Sequence, residues 1–261
     1  MSAAKPSYDV RLARDEADLR AAQRLRYRVF VEELGGDGVL VDHADRLERD
    51  QFDAVVDHLL LIDTAADPTG GGGHVVGVYR LLPGERATSF GRFYCDAEYD
   101  LAPLRAGGRR LLELGRSCVH PDHRGGTGMF LLWNALADYV LDHEVEVLFG
   151  VASFHGTDAA ALALPLSWLH HHHLAPPALR AVARPEGFQR MDLIAPEALD
   201  RRSALAAMPA LIKAYLRLGG VVGEGAYLDH AFNTTDVFLA MDTAAMSGRH
   251  RQFYEGRRGG P

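Results

Sequence analysis

The sequence predicts an α/β protein, a single domain with a mixed central sheet flanked by helices and an extended C-terminal half. Three observations carry this. Apolar residues recur first at helical spacing and then in strand-like runs, so helix and strand alternate along the chain. The strand-like stretch Leu112-Glu-Leu-Gly-Arg-Ser-Cys-Val119 passes through the glycine-rich turn His120-Pro-Asp-His-Arg-Gly-Gly-Thr-Gly128 into an apolar helix. No Ser/Gly linker long enough to separate domains, no internal repeat and no Walker-type phosphate loop divides the 261 residues. Residues 1–261 therefore read as one domain, ordered over about 8–241, with 242–261 a flexible basic tail.

The first element is a helix over Asp15 to Leu34, on the spacing of Leu19, Ala22, Leu25, Val29 and Phe30. Arg26 lies four residues after Ala22 and four before Phe30, which turns it inward; a snorkelling arginine at the rim of the stripe is the alternative. Gly35-Gly36-Asp37-Gly38 ends the helix, and an acidic connection through Asp53 follows. Strand-like runs span Val55 to Ile62 and Val75 to Leu82, with Gly70 to Gly73 as a flexible hairpin connection. Arg80 shares an apolar face with Val76, Val78 and Leu82.

After the Glu113/Arg116 strand the pattern predicts a helix from about Thr127 to His143, a strand from Val145 to Ser153 and a helix from Asp158 to His173. Beyond Pro176 the segments shorten: a helix near Pro209 to Leu218, a Gly219-Gly220 stop, and strands over Ala226 to His230 and Asp236 to Met241.

The chemistry concentrates at Glu113 and Arg116. Charges in an apolar strand are costly unless they pair or react. In a regular strand the two would face opposite sides, but a bulge at Gly115 would bring them to one face and free N–H groups to polarise a carbonyl. The turn that follows makes an anion site at a helix N-terminus. The pattern points to a phosphate-bearing substrate beside an acid/base pair.

Composition narrows the field further. A hydrophobic content of 48% suits a packed core, and the formal charge of −7 speaks against nucleic acid as a partner. No apolar run of spanning length and no signal-peptide pattern occurs, so the expected location is the cytoplasm, with the cytoplasmic face of the inner membrane as a place of peripheral contact. Arg105, Arg109 and Arg110 offer an acidic partner a landing site, and Arg249, Arg251, Arg257 and Arg258 crowd the tail. Two cysteines, Cys95 and Cys118, form no disulfide framework. His170 to His173 point different ways on a helix, and His120 with His123 lacks a third ligand, so no metal site is expected.

Several ordered motifs carry a resemblance. Leu25-Arg-Tyr-Arg-Val-Phe-Val-Glu-Glu-Leu34, Asp50-Gln-Phe-Asp53, Val76-Val-Gly-Val-Tyr-Arg-Leu-Leu82, Glu113-Leu-Gly-Arg-Ser-Cys-Val-His-Pro121 and Ala231-Phe-Asn-Thr-Thr-Asp-Val237 resemble bacterial ornithine N-acyltransferases, from about Tyr8 to Met241. The resemblance implies a GNAT-like N-acyltransferase fold. It also implies transfer of a 3-hydroxyacyl chain from acyl carrier protein to the α-amine of ornithine or another amino acid, without a further cofactor.

The first half is similar to acyl-homoserine lactone synthases as well, whose matching positions would be Arg26, Phe30, Asp50, Asp53, Arg80, Glu113 and Arg116. Gly35-Gly36 replaces an expected tryptophan, and Leu211 to Gly219 with Asn233 to Asp236 follows the ornithine pattern, so a lactone synthase is the alternative. A non-catalytic, haemolysin-like relative would be expected to have lost these charges. The resemblance implies Glu113 as base, with Arg116 assisting or locking it. Arg26 or Arg80 would bind the amino-acid carboxylate, and Asp50 and Asp53 the second ammonium. Arg124, Gly125, Gly126, Thr127 and Gly128 would hold the phosphopantetheine phosphate, with Thr127 standing where coenzyme A enzymes of this fold carry glycine.

Overall fold

The computed structural model describes residues 6–66 and 74–245. The Gly70 to Gly73 connection and the tail arginines from Arg249 onward lie outside the described residues. Contacts divide the chain into two units, one of residues 1–90 and 114–144, the other of residues 91–113 and 145–261. Both combine helices with strands.

In the first unit, strand β1 (Tyr8–Leu12) pairs antiparallel with β2 (Asp57–Asp63), which pairs antiparallel with β3 (Val75–Pro83). The strand expectations hold with shifts of a residue or two at each end, and β1 adds an edge that the alternation Tyr8, Val10, Leu12 could have signalled. Helix α1 (Glu16–Arg26) starts at Asp15, whose carboxylate accepts the Asp18 N–H, and short α2 (Gly84–Phe90) follows β3. The helix expected to run unbroken to Leu34 changes instead to a π-helix over Tyr27–Glu33. The wider π turn shifts every following side chain around the axis, which a simple 3.6-residue pattern does not reveal.

Alternation along β2 divides the packing. Leu60 and Ile62 meet Ala21, Ala22, Leu25 and Val29, while Leu61 turns to the other face, toward Gly128 and beside Leu132. Gly128 and Leu132 belong to α4 (Gly128–Asp142), the helix expected from the glycine turn. No helix among the described residues is long and apolar enough to cross a membrane.

In the second unit, β4 (Tyr99–Asp100) and helix α3 (Ala102–Ala106) precede Leu111 to Glu113, the opening residues of β5 (Leu111–Val119), which pair in parallel with β6 (Val147–His155). Helix α5 (Ala163–His173) begins five residues later than expected, because Asp158 to Leu162 form turns. Two-residue strands β7 (Val182–Ala183) and β8 (Phe188–Gln189) come next, followed by α6 (Arg201–Ala207) and α7 (Ala210–Arg217). The C-terminal hairpin pairs β9 (Val221–Asp229) with β10 (Thr234–Asp242), and β10 runs antiparallel to β6. A register shift lies between Val237 and Leu239, where buried Tyr99 Oη accepts the Phe238 N–H at 3.2 Å and lies 2.9 Å from the Asp236 carbonyl.

Candidate active site

The first unit gathers five of the expected residues into one buried ion cluster, and adds a member that sequence reasoning missed. Arg26 is fully buried at the end of α1. Its Nη1 and Nη2 donate to Asp53 Oδ1 and Oδ2 at 2.6 and 2.8 Å, and its Nε donates to Glu48 Oε2 at 2.5 Å. Nη2 also donates to the Glu48 carbonyl at 2.6 Å. Arg80, on β3, donates from Nη1 to Asp50 Oδ2 at 2.7 Å and to Asp53 Oδ1 at 3.2 Å. Arg116 donates from Nε to Glu48 Oε1 at 3.0 Å, and its Nη2 lies 3.5 Å from Asp50 Oδ2. Three guanidiniums thus face three carboxylates.

Burial alone would raise the carboxyls of Glu48, Asp50 and Asp53. The arginine charges outweigh that and hold all three below the usual carboxylate range. Buried His58 has its Nε2 3.1 Å from the Asp53 carbonyl, an acceptor, so Nε2 carries the proton. Burial and the nearby Arg26 and Arg80 charges lower its pKa and favour the neutral ring. Gln23 donates to Asp53 Oδ2 at 3.0 Å.

Solvent exposure separates the arginines. The side chain of Arg26 is 0% exposed and that of Arg80 4%, whereas Arg116 is 15% exposed and its neighbour Asp50 18%. The carboxylate-binding role expected of Arg26 or Arg80 therefore meets guanidiniums turned to protein carboxylates, and Asp53, expected to receive an ammonium, is engaged by both of them. Phe30 joins the cluster: the Arg116 guanidinium carbon lies 5.9 Å from its ring centroid.

The irregularity expected at Gly115 lies one residue further on. Arg116 has a φ of +49°, and Gly115 is not among the glycines of positive φ. The residue in this left-handed conformation is the one whose guanidinium is tied to Glu48.

Glu113 is buried at the end of the β5 stretch paired with β6. Its Oε2 accepts the Tyr94 N–H at 2.7 Å and its Oε1 the Cys95 N–H at 2.6 Å. Two backbone donors on a neighbouring turn thus fix the carboxylate.

The turn before α4 forms as expected, with Gly125 at a φ of +76° and Thr127 at the N-cap. Arg124 makes a two-point ion pair with Glu33, at 2.6 and 2.7 Å. Two of the arginines expected to attract an acidic partner are already matched: Arg105 donates to Asp96 at 2.8 Å, and Arg109 to Asp242 at 2.8 Å. His171 Nε2 lies 3.1 Å from the Ile194 carbonyl, and His172 packs on Trp168.

Comparison with known proteins agrees with this architecture. The GNAT acetyltransferase domain matches residues 25–134. The L-ornithine N(alpha)-acyltransferase of Rhodobacter capsulatus is 70% identical over 257 residues, 98% of each chain. That of Brucella abortus is 44% identical over 250 residues, covering 95% of this chain and 89% of its own. A solved CoA-dependent acyl-homoserine lactone synthase aligns with a TM-score of 0.53 at 17% identity, over 98% of this chain and 91% of its own, a likeness of fold. The mixed α/β arrangement is therefore that of a GNAT-like domain.

Proposed function

The chain belongs to the L-ornithine N(alpha)-acyltransferase family, and from that premise we propose that it transfers a 3-hydroxyacyl chain from acyl carrier protein to the α-amine of ornithine, giving a lyso-ornithine lipid. The protein is an acyltransferase. The observation that supports acyl transfer to the α-amine of ornithine is the identity of 70% over 98% of both chains to a relative of that name.

Amide formation from a thioester needs an unprotonated amine, and an α-amine of pKa about 8 is mostly protonated at pH 7. Glu113 takes that proton, directly or through one water. Its backbone anchors at Tyr94 and Cys95 support the role by fixing the carboxylate before substrate arrives. The amine nitrogen then forms a bond to the carbonyl carbon and backbone N–H groups receive the developing oxyanion; as the carbon–sulfur bond breaks, the nitrogen gives up a further proton, which passes to the departing sulfur, so that amide and carrier thiol are released. The thioester supplies the activated carbonyl, so the chemistry requires no further cofactor.

The turn Arg124 to Gly128 receives the single phosphodiester of the carrier arm through backbone N–H groups at the start of α4. Thr127, in place of a cradle glycine, favours that donor over coenzyme A. The product is amphiphilic, which suits peripheral work at the inner membrane.

The test is to incubate the purified protein with ornithine and matched acyl donors, and to follow the lipid by mass spectrometry. Lyso-ornithine lipid is expected, formed faster from acyl carrier protein than from coenzyme A, with the preference weakening as salt rises. Equal rates with both donors at low ionic strength would remove the carrier preference. An acyl-homoserine lactone formed from S-adenosylmethionine, with ornithine untouched, would overturn the reading.

A further inference from the structure

We propose that Asp96 is a positioning residue for the transfer reaction, clamping the turn whose backbone N–H groups hold the Glu113 carboxylate. The proposal deepens the reading above and rests on it for the role of Glu113 as base.

A carboxylate held by backbone donors is aimed no better than the backbone that bears them. The donors to Glu113 are the N–H groups of Tyr94 and Cys95, at 2.7 and 2.6 Å from its two oxygens. They stand at the start of the 3-10 turn Cys95–Ala97, where the Ala97 N–H donates to the Tyr94 carbonyl at 3.2 Å and the Glu98 N–H to the Cys95 carbonyl at 3.0 Å. One turn that short does not hold its shape by itself.

Asp96 adds the constraint from three directions. Its Oδ2 accepts the Phe93 N–H at 2.7 Å, which ties together the residues on either side of the two donors. Its carboxylate takes Arg105 of α3 at two points, Nη1 to Oδ1 at 2.8 Å and Nη2 to Oδ2 at 2.5 Å, the geometry of a charge-assisted fork. Its carbonyl accepts from Arg184 Nε, just beyond β7, at 2.6 Å, and the Arg184 N–H donates to the Glu98 carbonyl at 2.7 Å. The turn is thereby pinned to two separate parts of the same unit.

Its leading residue is registered on the partner of Glu113. Phe93 is buried and meets the Phe149 ring edge-on at 5.0 Å, and Phe149 is paired with Glu113 between β5 and β6. The Arg105 guanidinium carbon lies 5.5 Å from the Phe93 ring centroid. Arg105 thus belongs to a chain of contacts that runs through Asp96 and the turn to the carboxylate. Misplacing a reacting group by about 1 Å can cost about 10²-fold in rate, which is the error this clamp prevents.

The experiment is a double-mutant cycle. Turnover and KM for ornithine and the acyl donor are measured for the wild type, Asp96→Ala, Glu113→Gln and the double variant, with thermal melting and amide hydrogen exchange at Tyr94 and Cys95 alongside. Asp96→Ala is expected to lower kcat about ten- to hundredfold at unchanged KM and to speed exchange at both amides. In the Glu113→Gln background the same change is expected to cost less than about threefold, because the base it positions is gone. Asp96→Asn, which keeps an oxygen for the Phe93 N–H, is expected to recover part of the loss. If Asp96→Ala does not fold, Arg105→Gln carries the same cycle with a smaller fall, since that side chain is 45% exposed. Equal losses in both Glu113 backgrounds, or unchanged exchange at Tyr94 and Cys95 in a folded Asp96→Ala, overturn the proposal. Wild-type turnover in Glu113→Gln would instead remove the base role from the reading above, and the exchange rates would then decide the clamp by themselves.

Discussion

Arg26 and Asp53 form a two-point ion pair shut away from water: Nη1 to Oδ1 at 2.6 Å and Nη2 to Oδ2 at 2.8 Å, with the arginine side chain 0% exposed. Neither partner can be removed without leaving a buried charge on the other, which typically costs about 3–5 kcal/mol.

That pair sets an acid limit on stability. Asp53, Glu48 and Asp50 all titrate below the ordinary carboxylate range when folded, because the arginine charges overcome the cost of burial. Their contribution is therefore complete above the unfolded carboxyl pKa of about 4 and is lost as pH falls below it. Melting temperature is expected to hold steady from neutral pH down to about 5 and then to drop. Asp53→Asn should melt lower at pH 7 and show a shallower acid decline; a variant matching wild type at both ends would show the pair to be dispensable.

Glu113→Gln separates a base from a structural anchor. Glutamine keeps one carbonyl acceptor for the Tyr94 and Cys95 N–H groups but accepts no proton, so turnover should fall about 10²- to 10⁴-fold with the fold intact. Raising the pH should recover part of the loss, since more ornithine then arrives deprotonated. Turnover near wild type at pH 7 in a folded variant would refute the base role.

Neither thiol should react in the native state. Burial is the main cause that pushes Cys118 up to about 12 and raises Cys95, whose backbone N–H is already bonded to Glu113. Ellman's reagent at pH 8 is expected to release no colour until denaturant is added, and then to count both cysteines. Prompt labelling of the folded protein would mean that one of them is open to solvent.

Gly128 marks a close approach. A Cβ there would stand 2.7 Å from Leu61 Cδ2, in a side chain with no exposure. Gly128→Ala should cost about 1–3 kcal/mol by overpacking. Trimming the neighbour in Gly128→Ala/Leu61→Ala should make the double variant more stable than the sum of the two single losses. Simple additivity in denaturant melts would argue against the contact.

Arg26 was legible because positions 22, 26 and 30 share a helix face, and Arg80 because it interrupts an apolar run. The strand, glycine turn and helix from Leu112 to Asp142 followed from turn chemistry and hydrophobicity, which act locally. Glu48 was missed for the opposite reason. It lies in an irregular connection between α1 and β2, where no period exists to turn a residue inward, and only the flanking apolar Leu47 and Phe52 hinted at burial. The departure from α to π geometry at Tyr27 and the left-handed Arg116 break the regular periods of helix and strand, and a periodic reading of the sequence carries no trace of them.

The division of the chain at 90/91, 113/114 and 144/145 means that neither unit is a continuous stretch of sequence. No single truncation can yield one of them whole, and a gene fusion joined at either terminus inherits both or neither. A graft that exchanges one unit between relatives must therefore replace at least two separate segments at once.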